Sequence, residues 1–128
     1  MNAKILLFIA LGGAGGAVAR YITMSMVGHW FGHGFPYGTI VVNIAGSFIL
    51  GALVETLALV WSPSEAMRAM LVVGVLGAFT TFSTFSLDVH TLAIRGSYMA
   101  LGGYIAVSVL LSVSAFTIGL ALFRHIWS

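Results

Sequence analysis

The sequence predicts an all-α membrane protein with four transmembrane helices, and composition and hydropathy are the observations that predict it. About 60% of its 128 residues are hydrophobic and only 6% are charged, and the mean hydropathy is +1.11. A soluble domain carries about 25% charged residues, so lipid must be the solvent over most of this chain. Four spans of about 20 apolar residues, each able to cross a hydrocarbon core of about 30 Å, account for its length.

The four predicted spans are joined by short polar or aromatic connections. The first connection contains Trp30 and other aromatic residues that suit a membrane interface. In the second, Ser62-Pro63-Ser64-Glu65, a serine can cap a helix, and Glu65 lies early in its first turn, where the helix dipole favours a negative charge. Arg95-Gly96-Ser97 predicts a tight turn. Residues 1–128 are therefore predicted to form a single transmembrane domain with spans at about 4–27, 37–60, 66–94 and 98–123.

The basic side chains give only a weak signal for orientation. Four spans place both termini on one side of the membrane, and that side would hold Lys4, Arg68 and Arg124. The opposite side would hold Arg20 and Arg95. Under the positive-inside rule this small difference permits insertion in both orientations, and hence an antiparallel dual-topology homodimer. A single fixed orientation stays equally open.

Two polar stripes run along otherwise apolar spans with a spacing of four residues, which places their members on one helix face. A polar group that faces lipid costs several kcal/mol unless it is satisfied, so both stripes should face protein or water. Hydrogen bonds between helices, bonds to the helix's own backbone, and a path for an ion all remain open. The stripes are Thr39, Asn43 and Ser47 on the second span and Tyr104, Ser108 and Ser112 on the fourth.

The third span carries a polar run, Thr80-Thr81-Phe82-Ser83-Thr84-Phe85, at a depth where lipid should exclude polarity. Its hydroxyls compete with the backbone hydrogen-bond ladder, and glycines lie upstream, so the helix is predicted to break here. A broken helix at membrane depth is tolerated only where it is buried or lines a cavity. The break would free backbone groups that can bind ions; a kink or a packing seam is the alternative.

Phenylalanine and charged residues add further candidates. Phe82 and Phe85 share a helix face, and the positive edge of an aromatic ring can attract an anion without trapping it. Paired phenylalanines are, however, more often part of a core. Arg20 is costly at depth and could reach the interface, anchor a helix end or attract anions. Asp88 lies near the end of the third span, where a vestibule is expected.

Three segments together resemble the Fluc fluoride channels of microbes. They are residues 12–21, 38–48 and 77–86, which occur in the family's order. The asparagine segment and the Thr-Thr-Phe-Ser-Thr-Phe run are specific together, whereas the glycine-rich first segment is weak alone. The resemblance implies a fluoride-selective channel that exports cytoplasmic fluoride passively. It also implies an antiparallel homodimer with two pores in the lipid bilayer.

The resemblance assigns roles to individual residues. It implies a structural sodium ion at the dimer interface, held by the backbone carbonyls of Gly77 and Thr80. Arg20 matches the arginine of the family's first motif, and Asp88 stands where the family usually has glutamate, which shortens the reach of a vestibule carboxylate. The implied fluoride pathway consists of Thr39, Asn43, Phe82, Ser83, Phe85, Tyr104, Ser108 and Ser112.

Other functions fit the sequence less well. A small four-span multidrug or proton-coupled transporter would need a membrane-embedded carboxylate, and Glu55 is the only candidate. The chain has no cysteine, which excludes thiolate metal sites and thiol catalysis. With no clustered acid, base and nucleophile, we do not expect an enzyme. Dispersed basic residues leave no nucleic-acid surface, and a plain assembly subunit would not need the hydroxyl run.

Overall fold

The computed structural model describes residues 1–128 and contains only helices and their connections. Four helical stretches are long and apolar enough to cross a membrane, which makes the chain a multi-pass membrane protein. Three are continuous helices, namely α1 (Ala3–Phe31), α2 (Tyr37–Leu59) and α6 (Tyr98–Trp127). The third stretch, Glu65–Ile94, consists of α3 (Glu65–Ala69), a π-helical segment (Met70–Leu76), α4 (Gly77–Phe79) and α5 (Ser83–Ile94).

Local chemistry sets the helix ends. The Ser64 hydroxyl accepts the N–H of Met67 at 3.2 Å, as its capping position predicts. Helix α1 continues beyond its predicted end and stops only at Gly32, whose φ of 83° suits glycine. Hydropathy marks where the hydrocarbon core ends, whereas the helical hydrogen bonds persist through the interface. Gly96, with φ 73°, closes the turn between α5 and α6.

Helices α2 and α6 run side by side in the same direction and touch backbone to backbone. A Cβ added at Gly51 would overlap the carbonyl oxygen of Phe116, and one at Gly119 would overlap the carbonyl oxygen of Phe48. Small residues permit this approach in membranes, where packing rather than the hydrophobic effect holds helices together. We call this contact the α2–α6 glycine seam.

A charged pair joins α2 and α6 near their C-terminal ends, just beyond the glycine seam. Arg124 Nη2 donates to Glu55 Oε1 at 3.0 Å, with Glu55 buried and Arg124 exposed. Nearby, the indole N–H of Trp127 donates to the hydroxyl of Thr56 at 3.0 Å. Glu55 is therefore neutralised by a partner, as a carboxylate near apolar surroundings requires.

Helix α1 packs on the third span through a second set of glycines. A Cβ at Gly12 would overlap the carbonyl oxygen of Met70, and one at Gly16 would overlap that of Val75. These two glycines form the GxxxG pair of the first span. Met70 and Val75 both belong to the π-helical segment. The two glycines therefore pack α1 against the part of the third span that precedes the polar run.

We expect Gly51→Ala to destabilise the chain, because the added methyl group must push α2 away from Phe116. Overpacking of this kind costs about 1–3 kcal/mol. Gly13→Ala is the matched control, since nothing lies within 4 Å of a Cβ there, and alanine raises helix propensity by up to about 1 kcal/mol. Thermal unfolding in detergent micelles measures both, and equal midpoints for the two variants would contradict the close contact at Gly51.

A candidate ion pathway

The third span leaves helical geometry between Phe79 and Ser83. Thr80 is extended, with φ −83° and ψ 161°, and helix α5 begins at Ser83. Within the chain, the carbonyl groups of Gly77 and Thr80 accept no backbone hydrogen bond. Local geometry thus leaves without a backbone partner the two oxygens that the family resemblance assigns to sodium.

Asn43 on α2 bridges this interruption with two hydrogen bonds. Its Nδ2 donates to the carbonyl oxygen of Thr81 at 2.9 Å, and the Thr81 N–H donates to its Oδ1 at 2.8 Å. A side-chain amide carries two N–H donors, so one remains available. Asn43 also lines the main cavity of the chain, so it both supports the interrupted backbone and offers a donor.

Several hydroxyls of the polar run serve the interruption itself. The Thr80 hydroxyl donates to the carbonyl oxygen of Leu76 at 3.0 Å. The Thr81 hydroxyl accepts the N–H of Thr84 at 3.1 Å and lies 3.3 Å from the Ser83 hydroxyl. The Thr81 hydroxyl satisfies an N–H that has no helical partner where the helix stops, whereas the Thr80 hydroxyl adds a second donor to a carbonyl that already accepts the Thr80 N–H. The high hydroxyl density seen in the sequence therefore has a structural component.

A cavity of about 370 Å³ opens between α2, the third span and α6. It is apolar over much of its wall, where Phe82 and Phe85 contribute rings and Leu50 contributes an aliphatic side chain. No charged residue lines it. Its polar lining consists of Asn43, Ser47, Thr80, Thr81, Ser108 and Ser112.

Two serine hydroxyls on α6 are buried against this cavity without a partner. Neither Ser108 Oγ nor Ser112 Oγ makes a hydrogen bond. By contrast, the hydroxyl of Thr117, on the same helix, donates to the carbonyl oxygen of Val113 at 3.1 Å. A buried hydroxyl left unpaired costs about 1–3 kcal/mol. These two groups are therefore free to bind a species that enters the cavity.

Three aromatic rings lie in a row of tilted contacts that begins at the cavity. The centroids of Phe82 and Phe85 are 5.3 Å apart with an angle of 40° between the rings. Phe85 in turn lies 5.2 Å from the ring of Tyr104. Phe85 is 9% exposed and Tyr104 is completely buried, whereas Phe82 is 76% exposed. The outermost ring thus projects from the chain while the inner two are fixed by packing.

Asp88 of α5 connects α2 and α6 at the end of the bundle that carries the α1–α2 loop, which we call the loop end. Its Oδ2 accepts hydrogen bonds from the Thr39 hydroxyl and the Tyr104 hydroxyl, both at 2.7 Å. The Tyr104 donor is therefore directed at the carboxylate of Asp88 rather than at the cavity. Asp88 and Thr39 also line a second, smaller cavity of about 190 Å³, together with His33 of the loop between α1 and α2.

Most of the residues singled out by the sequence are brought together, in two adjoining groups. Asn43, Phe82, Phe85, Ser108 and Ser112 line the main cavity with Gly77 and Thr80. Thr39, Tyr104 and Asp88 form the hydrogen-bonded group at the loop end. Two lie apart from both: Ser83 is exposed beside the interruption, and Arg20 is half-buried on α1 without a side-chain hydrogen bond or ion pair.

Sequence reasoning missed the backbone of Thr81 as the partner of Asn43. The two residues are separated by 38 positions, and a hydrogen bond to a backbone group depends on the fold rather than on the identity of Thr81. The polar stripe on α2 predicts that Asn43 needs a partner, but it does not identify the partner.

Comparisons with known proteins agree over almost the whole chain. A protein-family model described as "CrcB-like protein, Camphor Resistance (CrcB)" matches residues 7–120. The chain is similar to a protein named fluoride-specific ion channel FluC from Rhodospirillum centenum, at 52% identity over 121 residues, which cover 94% of this chain and 96% of the relative. The relative of the same name from Chelativorans is 48% identical over 121 residues, covering 94% and 97%.

A third relative, from Vibrio cholerae, carries the same name and is 44% identical over 119 residues, covering 93% of this chain and 94% of its own. All of these matches include the three segments that carried the sequence resemblance. The family model and the relatives together establish that this chain belongs to the CrcB-like family of FluC proteins.

Proposed function

We propose that this protein is a fluoride-selective ion channel that exports cytoplasmic fluoride down its electrochemical gradient. The cavity carries the proposal, because two partnerless serine hydroxyls and a side-chain amide meet phenylalanine rings there. The relatives are named fluoride-specific ion channels, and ion channels are not enzymes. The cell inner membrane is the site at which such export would act.

Neutral donors explain how the cavity would handle fluoride. Fluoride is small and strongly hydrated, so the pathway must replace its water with other donors. The remaining Asn43 N–H and the hydroxyls of Ser108 and Ser112 offer such donors. The ring edges of Phe82 and Phe85 add positive electrostatic potential without a formal charge. Conduction needs binding that is favourable but weak enough for release, and a fixed positive charge would hold the ion too tightly.

The direction of transport follows from the membrane potential. The potential contributes about 2.3 kcal/mol per elementary charge per 100 mV, and a negative interior drives anions outward. Fluoride that enters a cell as neutral hydrofluoric acid dissociates inside, so a passive pathway is enough for export. No coupling ion and no ATP are required.

An antiparallel dual-topology homodimer would complete the pathway. Phe82 projects from the chain with 76% of its surface exposed, and Gly77 is exposed beside it. A second copy in the opposite orientation would cover both. The weak charge asymmetry between the two sides permits such insertion, and the resemblance implies two pores per dimer.

A structural sodium ion is compatible with the groups at the interruption. Gly77 and Thr80 present carbonyl oxygens that accept no backbone hydrogen bond, and unwound backbone carbonyls are known sodium ligands in membrane proteins. A cation there would offset the carbonyl dipoles and raise the local potential for anions. These two residues are the ones we assign to the ion.

The competing transporter function lacks a suitable carboxylate. Glu55 is paired with Arg124 at 3.0 Å and lines neither cavity. Asp88 carries two hydroxyl donors on one oxygen and serves packing at the loop end. A proton-coupled exchanger needs a carboxylate free to alternate between proton and substrate, which neither residue offers.

Liposomes that contain the purified protein should release fluoride rapidly and chloride hardly at all, as expected for a chain similar to proteins named fluoride-specific ion channels. A fluoride electrode measures the efflux after a potassium ionophore has relieved the charge imbalance, and protein-free liposomes are the control. Equal chloride efflux, or none of fluoride, would refute the channel proposal.

Phe82→Ile should lower fluoride efflux about tenfold or more, because an aliphatic side chain has no positive ring edge to face the anion. Phe31→Ile is the matched control, since Phe31 is 64% exposed and lines neither cavity. Size-exclusion chromatography should show the wild-type elution volume for both variants. A loss of assembly in the Phe82 variant would indicate a packing role instead.

Exchange of sodium for N-methylglucamine during purification should lower the thermal unfolding midpoint of the assembled protein. Ligand binding to the folded state alone contributes about 2.7 kcal/mol at a hundredfold excess over the dissociation constant. Re-addition of sodium should restore the midpoint, whereas equal concentrations of choline should not. A midpoint that is independent of sodium would count against the bound ion.

A further inference from the structure

We propose that Ser47 is a further ion-contacting residue and forms, with Ser112, a second pair of donors along the fluoride pathway. This inference rests on the proposed channel function and adds a residue to that site. Ser47 belongs to the polar stripe of α2, and its role there is separate from that of Asn43, one helical turn away.

The register of α2 against α6 places Ser47 opposite Ser112. The two helices run parallel, and their polar stripes have the same four-residue spacing. At one end, Thr39 and Tyr104 meet at the shared oxygen of Asp88. At the other, Gly51 meets the backbone of Phe116.

Between these two fixed contacts, each residue of the α2 stripe lies at the same height along the parallel helices as one residue of the α6 stripe. We call each such height a level. Asn43 therefore shares a level with Ser108, and Ser47 shares the next level with Ser112. All four residues line the same cavity, as this register requires. The pathway thus contains two consecutive pairs of polar side chains, one contributed by each helix at each level.

The hydroxyl of Ser47 is not occupied by its own helix. Thr56, further along α2, donates its hydroxyl to the carbonyl oxygen of Ala52 at 2.8 Å, which is the usual way for a membrane helix to satisfy such a group. Ser47 makes no side-chain hydrogen bond within the chain, and it lines the cavity. With no partner inside the chain, its donor is available to a species in the cavity.

The surroundings make a second donor pair necessary at this level. Leu50, Val72 and Val113 line the same cavity, and their side chains cannot donate a hydrogen bond. Beyond this level the glycine seam brings α2 and α6 into backbone contact. An anion that leaves the Asn43–Ser108 level would otherwise meet one hydroxyl in an apolar environment, where an unsatisfied charge is costly.

Fluoride efflux from liposomes tests the role of Ser47. Ser47→Ala should lower efflux about tenfold, the change expected when one hydrogen bond to an ion is lost. Ser114→Ala is the control, since Ser114 is an exposed hydroxyl on α6 that does not line the cavity, and its efflux should equal that of the wild type. Elution volume and thermal unfolding midpoint should be unchanged in both variants.

The outcomes separate this inference from the channel proposal. Wild-type liposomes that release no fluoride would overturn the channel proposal, and this inference with it. A conducting wild type with equal efflux from the Ser47 variant would overturn only the role of Ser47. A fall in efflux that comes with a changed elution volume or a lower unfolding midpoint would also overturn it, because Ser47 would then act in packing.

Discussion

The pair of hydrogen bonds between the Asn43 amide and the Thr81 backbone is the interaction on which the rest of the site depends. In lipid, a backbone that leaves helical geometry must find other partners for its polar groups. Asn43 supplies both a donor and an acceptor to Thr81. The third span can therefore unwind at Thr80 and begin again at Ser83. That interruption in turn leaves the carbonyl groups of Gly77 and Thr80 without backbone partners and places Phe82 and Phe85 at the cavity.

Much of the fold follows from the sequence because lipid leaves few alternatives. Apolar length predicts four spans, and polar spacing predicts which faces of α2 and α6 avoid lipid. Positions that depend on contacts between distant residues were not predictable in the same way. The direction of the Tyr104 hydroxyl toward Asp88 depends on the packing of α5 against α6, and the end of α1 at Gly32 depends on hydrogen bonds that hydropathy does not report.

The candidate site shows how the same residue type takes different roles at different depths. Thr80 and Thr81 bond their hydroxyls to backbone groups on either side of the interruption. Ser108 and Ser112, on a continuous helix, have no such task and keep their hydroxyls free. Composition counts these groups alike, and only the local backbone distinguishes them. The main cavity therefore owes its polarity to a minority of the hydroxyls that the sequence presents.

The glycine seam between α2 and α6 also bears on how the protein can move. Helices whose backbones touch at Gly51 and Gly119 cannot part without losing a whole interface, and Glu55 with Arg124 fixes them further. Alternating access requires one bundle to rock against another around a central site, and these helices form both one wall of the cavity and one rigid unit. Because α2 and α6 cannot separate without losing these contacts, the polar residues of the two helices keep a fixed spacing along the cavity.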